Sequence, residues 1–179
     1  AQKDQQRIPG IDKMVVEGDS LSIGQHQFDV LEVPGHTSAH IAYWFKDDAI
    51  LFCGDTLFSL GCGRLFEGTP EQMWHSLKKI RQLPDQTQIY CAHEYTESNA
   101  RFAILLEPGN TTLKEKLRRI QEQRKQGLPT IPSSMQTEKQ LNPFLRVDDE
   151  EFQCRIGMSN ADPIQVFTEI RRQKDNFHD

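Results

Sequence analysis

The sequence predicts an α/β part followed by an α-helical part, and two textures that meet near residue 97 carry that prediction. Upstream, short runs of strand length and strand composition are broken by Gly, Pro and Asp. Downstream, apolar residues recur at helical spacing behind helix-start signals. The expected division is therefore 1–97 and 98–179.

The strand-like runs are Gln27 to Val33, His40 to Lys46, Ala49 to Cys53 and Gln88 to Ala92. One helix interrupts them. Pro70 suits a first turn, because its missing N–H has no helical partner there anyway, and Met73, Leu77, Ile80 and Leu83 follow on one side. In the second part Thr112 and Glu115 have capping-box spacing, Leu113, Leu117 and Ile120 mark a buried stripe, and Gly127 is a natural stop. Asp162-Pro163 opens a last helix as N-cap and first-turn residue. The stretch from Pro129 to Pro143, with Pro132 inside it, reads as irregular.

The charge balance narrows the function classes. Lys and Arg total 21 against 26 Asp and Glu, a net charge of -5, which disfavours a nucleic-acid partner. No apolar run reaches the length of a membrane span, and Ala1 to Gly10 holds no signal-peptide core, so no membrane partner is expected. Ala1 in place of Met reads as a processed or cut chain. Cys53, Cys62, Cys91 and Cys154 form no CxxC pair, and they read as reduced thiols of a cytoplasmic protein.

Three polar residues stand just past predicted strand ends: His36 in Pro34-Gly35-His36-Thr37, Asp55 in Gly54-Asp55-Thr56, and His93 in Ala92-His93-Glu94. Sites in open α/β sheets collect at the carboxyl ends of strands. Two imidazoles and a carboxylate suit zinc, iron or manganese, and a carboxylate with two oxygens can bridge two ions. Taken singly, each residue reads as a turn former or a surface residue. His26 and His40 lie in predicted strands and read as core or surface residues, and His75 and His178 as solvent-facing ones. Arg171 and Lys174 share one side of the last helix and can hold carboxylates; the alternative is a solvated face. In Gly61-Cys62-Gly63-Arg64-Leu65-Phe66 an Arg and an aromatic can overhang a cleft, or the glycines simply make a turn. No histidine is linked in sequence to Cys62, so it is not read as a nucleophile.

Pro34-Gly-His36-Thr, Phe52-Cys-Gly-Asp55-Thr, Gly61-Cys-Gly-Arg-Leu-Phe-Glu-Gly68, Ala92-His93-Glu-Tyr95-Thr, Asn142-Pro-Phe-Leu-Arg146 and Arg171-Arg-Gln-Lys-Asp175 together resemble glyoxalase II, the hydroxyacylglutathione hydrolases of the metallo-β-lactamase superfamily. The resemblance implies an αββα sandwich with a C-terminal helical substrate-binding domain. It implies two divalent metals: zinc, often mixed with iron or manganese. It makes His36 a ligand of the first metal, Asp55 the bridging and catalytic carboxylate, and His93 a ligand of the second. Arg64, Phe66, Tyr95, Arg171 and Lys174 fall where the family binds glutathione, although many members carry Lys and Tyr at the first two positions. The implied reaction is hydrolysis of a glutathione thioester, typically S-D-lactoylglutathione to glutathione and D-lactate, by a metal-held hydroxide, in the cytoplasm or the mitochondrial matrix.

The family's THxHxDH motif does not occur in residues 1–179, so the resemblance covers the C-terminal two-thirds of the family pattern. The expectation is a sandwich without its N-terminal half, impaired in activity, with Val30, Ile41 and Phe52 on an uncovered sheet face prone to self-association. The competing readings are a related one-iron persulfide dioxygenase and a non-catalytic glutathione-binding fragment.

Overall fold

The computed structural model describes residues 1–178. Its centre is a six-stranded sheet built from β1 (Ser20–Ile23), β2 (His26–Glu32), β3 (Ile41–Phe45), β4 (Ile50–Gly54), β7 (Gln88–Cys91) and β8 (Ser133–Ser134), in that spatial order. A separate small hairpin pairs β5 (Leu57–Phe58) with β6 (Gly61–Cys62). All neighbours in the large sheet are antiparallel except β4 and β7, which run parallel. That parallel pair needs a crossover, and α1 (Pro70–Arg81) lies within it. The α/β part and the helical tail anticipated from the sequence are both present.

Alternation decides the two faces of the sheet. Ala42, Trp44, Leu51, Cys53 and Ile89 point to one side, where Met73, Trp74, Leu77 and Ile80 of α1 cover them. The same core takes in Phe144, Phe152 and, from α6 (Pro163–Asp175), Val166, Phe167 and Ile170. Sheet and helical tail thus share one core, and residue 97 falls in the first turn of α2 (Thr96–Leu106). On the other face Phe28, Tyr43, Phe45, Phe52 and Tyr90 form a chain of ring contacts with centroids 4.9–5.6 Å apart. Phe52 is 44% exposed and Tyr43 37%. Val30 departs from the expectation of an uncovered face: it is fully buried, clustered with Val15 and Phe28.

Local signals explain most helix ends. At α1, Thr69 and Gln72 form a reciprocal capping box with Pro70 at the first turn. Asp162 caps α6 through Ile164 N–H. The Thr112–Glu115 box does not form. Asn110 caps α3 (Thr111–Lys125) instead, accepting from Leu113 N–H, because the loop enters two residues earlier. The expected irregular stretch 129–143 holds β8 and a short helix, α4 (Met135–Leu141). Seven residues are too few to be helical on propensity alone, so tertiary contacts hold α4 in place.

Those contacts are polar and buried. Glu138 on α4 has no exposed surface and accepts from Leu60 N–H (2.8 Å), Asn142 Nδ2 (2.8 Å) and Ser133 Oγ. Asn142 Nδ2 also reaches Phe58 O (3.2 Å) and Gly61 O (3.0 Å), and Asn99 Nδ2 donates to Ser59 O (3.0 Å). Three side chains of the helical part thereby clamp the β5–β6 turn, where Leu60 sits at φ 58°. Burial pushes the Glu138 carboxyl up, against the pull of its hydrogen bonds to Ser133, Asn142 and Leu60.

A raised carboxyl binds its proton more tightly folded than unfolded. Between the ordinary Glu range and the raised value, stability therefore falls as pH rises. Glu138→Gln keeps an acceptor and removes the charge. The expected result is a flatter dependence of the urea midpoint on pH than in the wild type, with no loss at neutral pH. An unchanged slope shows that the buried charge is not the source.

Candidate metal centre and substrate cleft

Strand direction brings the candidate ligands together. β2 and β4 are both antiparallel to β3, and β7 is parallel to β4, so the carboxyl ends of β2, β4 and β7 share one edge. His36, Asp55 and His93 follow those three ends. His93 Nε2 lies 3.1 Å from Asp55 Oδ1, and His36 Nε2 lies 3.9 Å from Oδ2. The two imidazoles therefore face opposite oxygens of one carboxylate.

Each ring has a support. His36 Nδ1 donates to Arg64 O at 2.9 Å, which leaves Nε2 as the free lone pair toward Asp55. Phe66 packs on His36 with centroids 4.8 Å apart, and Tyr95 stacks on His93 at 5.0 Å. Gly63 lets the 61–64 loop pass beside Asp55: a Cβ there would stand 1.9 Å from Asp55 O.

His40 is not inside a strand, as the sequence reading had it; it precedes β3. Because β3 runs opposite to its neighbours, its first end lies at the same edge as the last ends of β2 and β4. There His40 Nε2 accepts from Asp55 N–H at 3.1 Å. Burial, then the nearby His36, hold the His40 imidazole below the usual histidine range. The signal available in the sequence was the antiparallel turn between two strand runs, which places a strand's start beside its predecessor's end. His26 is exposed and pairs with Asp48, and His75 and His178 are exposed.

The donor chemistry fits divalent ions; each ion would have two donors, one imidazole and one oxygen of Asp55. A catalytic zinc takes three protein ligands and a water. Among the described residues no three His, Cys, Asp or Glu side chains surround one point.

Beside this triad opens a cleft of about 500 Å³, lined by His36, Asp55, His93 and the five substrate-site candidates, Arg64, Phe66, Tyr95, Arg171 and Lys174. Phe66 and Tyr95 are exposed, at 69% and 50%. Lys174 Nζ donates to Ser98 Oγ (2.8 Å) and Ser98 O (3.3 Å) and lies over the Phe177 ring. Arg171 is buried: it donates to Cys62 O (2.9 Å), pairs with Asp175 (2.9 Å) and stacks over Phe144. Arg64 Nε also approaches Asp175, at 3.8 Å. Burial raises the Cys62 thiol to about 11, against the pull of Arg171, so it is not a ready thiolate. A larger hollow of about 750 Å³ lies between the α2–α3 loop and α5 (Glu150–Arg155). Its Arg146 and Arg155 are both paired with Glu107, and it lies away from the histidines.

Residues 2–93 match the model of the metallo-β-lactamase superfamily, and residues 94–177 match that of the hydroxyacylglutathione hydrolase C-terminus. A hydroxyacylglutathione hydrolase of Methylococcus capsulatus is 52% identical over 174 residues, which are 97% of this chain and 68% of the relative. One from Synechocystis is 50% identical, over 98% of this chain and 69% of its own. Among solved structures, ETHE1 from Myxococcus xanthus aligns with a TM-score of 0.55 at 25% identity, over 95% of this chain and 63% of that one. The BLEG-1 B3 metallo-beta-lactamase aligns with a TM-score of 0.51 at 26% identity, over 75% and 48%.

Arg171→Ala removes a charge-assisted bond to the Cys62 carbonyl and leaves that acceptor buried. The expected cost is about 1.5–3 kcal/mol of folding stability, read by urea denaturation. A change within the error of the measurement would mean that Arg171 does not hold the 61–64 loop.

Proposed function

The chain belongs to the hydroxyacylglutathione hydrolases of the metallo-β-lactamase superfamily, and from that premise we propose that it hydrolyses glutathione thioesters, S-D-lactoylglutathione to glutathione and D-lactate being the reference reaction. The observation that supports this most is the pair of imidazoles set against opposite oxygens of Asp55, at one end of a cleft walled by three cations. Membership of the superfamily implies divalent metal binding. Zinc, alone or mixed with iron or manganese, is the proposed set, with His36, Asp55 and His93 as the residues of this chain that would hold it. When bound, such ions supply Lewis acidity and make water acidic enough to attack a carbonyl at neutral pH.

The remaining roles belong to the chain itself. Asp55 keeps two anionic oxygens apart and directs one to each imidazole. The Arg64 carbonyl holds the His36 ring in the tautomer that presents Nε2. Glutathione carries carboxylates, and in a chain of net charge -5 the local cations of Arg64, Arg171 and Lys174 are what would draw them in. Lys174 and Arg64 are the direct contacts in this proposal, and Arg171 braces the loop as well as adding charge. Phe66 and Tyr95 flank the entrance with flat apolar surfaces.

A second reading, a glutathione-binding chain without turnover, draws on the count of two donors per ion. A one-iron persulfide dioxygenase is disfavoured by the match of 94–177 and by the identity to the hydrolases. No helix is long and apolar enough to cross a membrane among the described residues. A cytoplasmic setting is proposed from the four unpaired cysteines.

With zinc supplied, the 179-residue chain is expected to hydrolyse S-D-lactoylglutathione slowly, since two donors per ion make weak sites. Asp55→Ala should abolish both turnover and zinc retention, read by a thiol-release assay and metal analysis. Undiminished turnover in that variant would remove Asp55 from the site, and glutathione binding without wild-type turnover would favour the second reading.

We also propose that the Tyr43–Phe52–Tyr90 face pairs copies of this chain in solution. Phe52→Glu should lower the solution mass measured by light scattering at equal concentration. A wild-type chain that is monomeric at the highest soluble concentration would end that proposal.

A further inference from the structure

We propose that His40 is the positioning residue of this site: its ring holds the Asp55 main chain so that the two carboxylate oxygens stand toward different histidines. This deepens the hydrolase reading and rests on it for the meaning of Asp55. No metal ligand role is assigned to His40.

The His40 segment is held first through its backbone. His40 O accepts from Val33 N–H at 2.8 Å, which closes the turn carrying His36, and Gly35 N–H is held by Thr37 O at 3.1 Å. His40 is therefore anchored to the His36 turn. Its side chain crosses to the Asp55 turn, where Nε2 accepts from Asp55 N–H at 3.1 Å. One residue thus ties together the two loops whose side chains must meet.

The Asp55 turn needs such a tie. The β4–β7 ladder shifts register between Phe52 and Gly54, and its last contact is Ala92 N–H on Gly54 O at 3.0 Å. Asp55 N–H lies past that rung, and the imidazole takes it. Gly54 is at φ 54°, a conformation that favours glycine, and a Cβ there would stand 2.6 Å from His40 Nε2. The turn and the ring therefore occupy adjoining space with no room for a side chain between them.

Accepting from an N–H requires a lone pair on Nε2, so the ring proton sits on Nδ1, facing Thr37 Oγ1 at 3.5 Å. His36 uses the same tautomer for a different end: its Nδ1 is anchored and its Nε2 points at a carboxylate oxygen. His40 turns its Nε2 on the backbone of that same aspartate. One histidine thus holds the backbone of Asp55 while another faces its carboxylate.

The test compares wild type, His40→Ala and His40→Gln in the 179-residue chain. Gln can place its amide oxygen where Nε2 accepts. Without metal, nitrogen spectra of the wild type should show His40 Nε2 unprotonated, and His40→Ala should speed hydrogen exchange of the Asp55 amide at least about tenfold, with core amides of α6 unchanged. With cobalt as the probe ion, His40→Ala should weaken affinity about 10–100-fold, as loss of an outer support does at metal sites. Where turnover is measurable, kcat should fall and KM hold, since no substrate contact is lost. His40→Gln should recover most of each effect. A proton on Nε2 in the wild type, an Asp55 amide that exchanges as before in His40→Ala, or a Gln variant as impaired as Ala overturns the proposal. Should His40→Ala fail to fold, the wild-type tautomer and the Gln variant decide. A chain with no thioester hydrolysis at all sinks the hydrolase reading, while the exchange and tautomer results still judge His40.

Discussion

The clamp of Glu138 and Asn142 on the β5–β6 turn is the contact on which the site geometry depends. A two-rung hairpin with a left-handed leucine at its tip has no stability of its own. It persists because its N–H and C=O groups are satisfied by buried side chains from the helical part. A buried network of this kind is costly when incomplete and rigid when complete. From the clamped hairpin the chain runs directly into Gly63 and Arg64, whose backbone touches Asp55 and His36.

Arg171 adds a second link between the helical tail and the same loop. Its guanidinium meets the Cys62 carbonyl on one side and Asp175 on the other, above the Phe144 ring. Asp175 in turn faces Arg64. The two arginines of the cleft are therefore set against one carboxylate of α6. In this way the helices that complete the hydrophobic core also set the polar wall of the cleft, and the two roles cannot be separated into independent halves of the chain.

The sheet treats its faces unequally. One is sealed by α1 and α6 into a continuous apolar core. The other carries a row of touching aromatic rings, of which Val15 and its neighbours cover only the β2 end. Edge-to-face and stacked contacts along the row satisfy the rings partly, yet leave Phe52 and Tyr43 in contact with solvent.

What was legible in the sequence was what short-range chemistry dictates. Alternating strand runs, Pro70 at a helix start and the Asp162-Pro163 cap depend on residues a few positions apart, and each lies where local preference puts it. His36, Asp55 and His93 could be singled out because each directly follows a strand. The tertiary structure alone decided the rest. The Thr112–Glu115 pattern lost to Asn110 because the incoming loop, not the motif, chose the first helical residue. α4 is too short to declare itself and forms around a carboxylate buried against a loop 78 residues away. His40 looked like any strand histidine until the antiparallel pairing of β3 set its start beside the end of β4. Arg171 could be read as a holder of carboxylates or as a solvated charge, but not as a brace of the 61–64 loop, because its partner, a backbone carbonyl 109 positions earlier, has no signature in a side-chain alphabet.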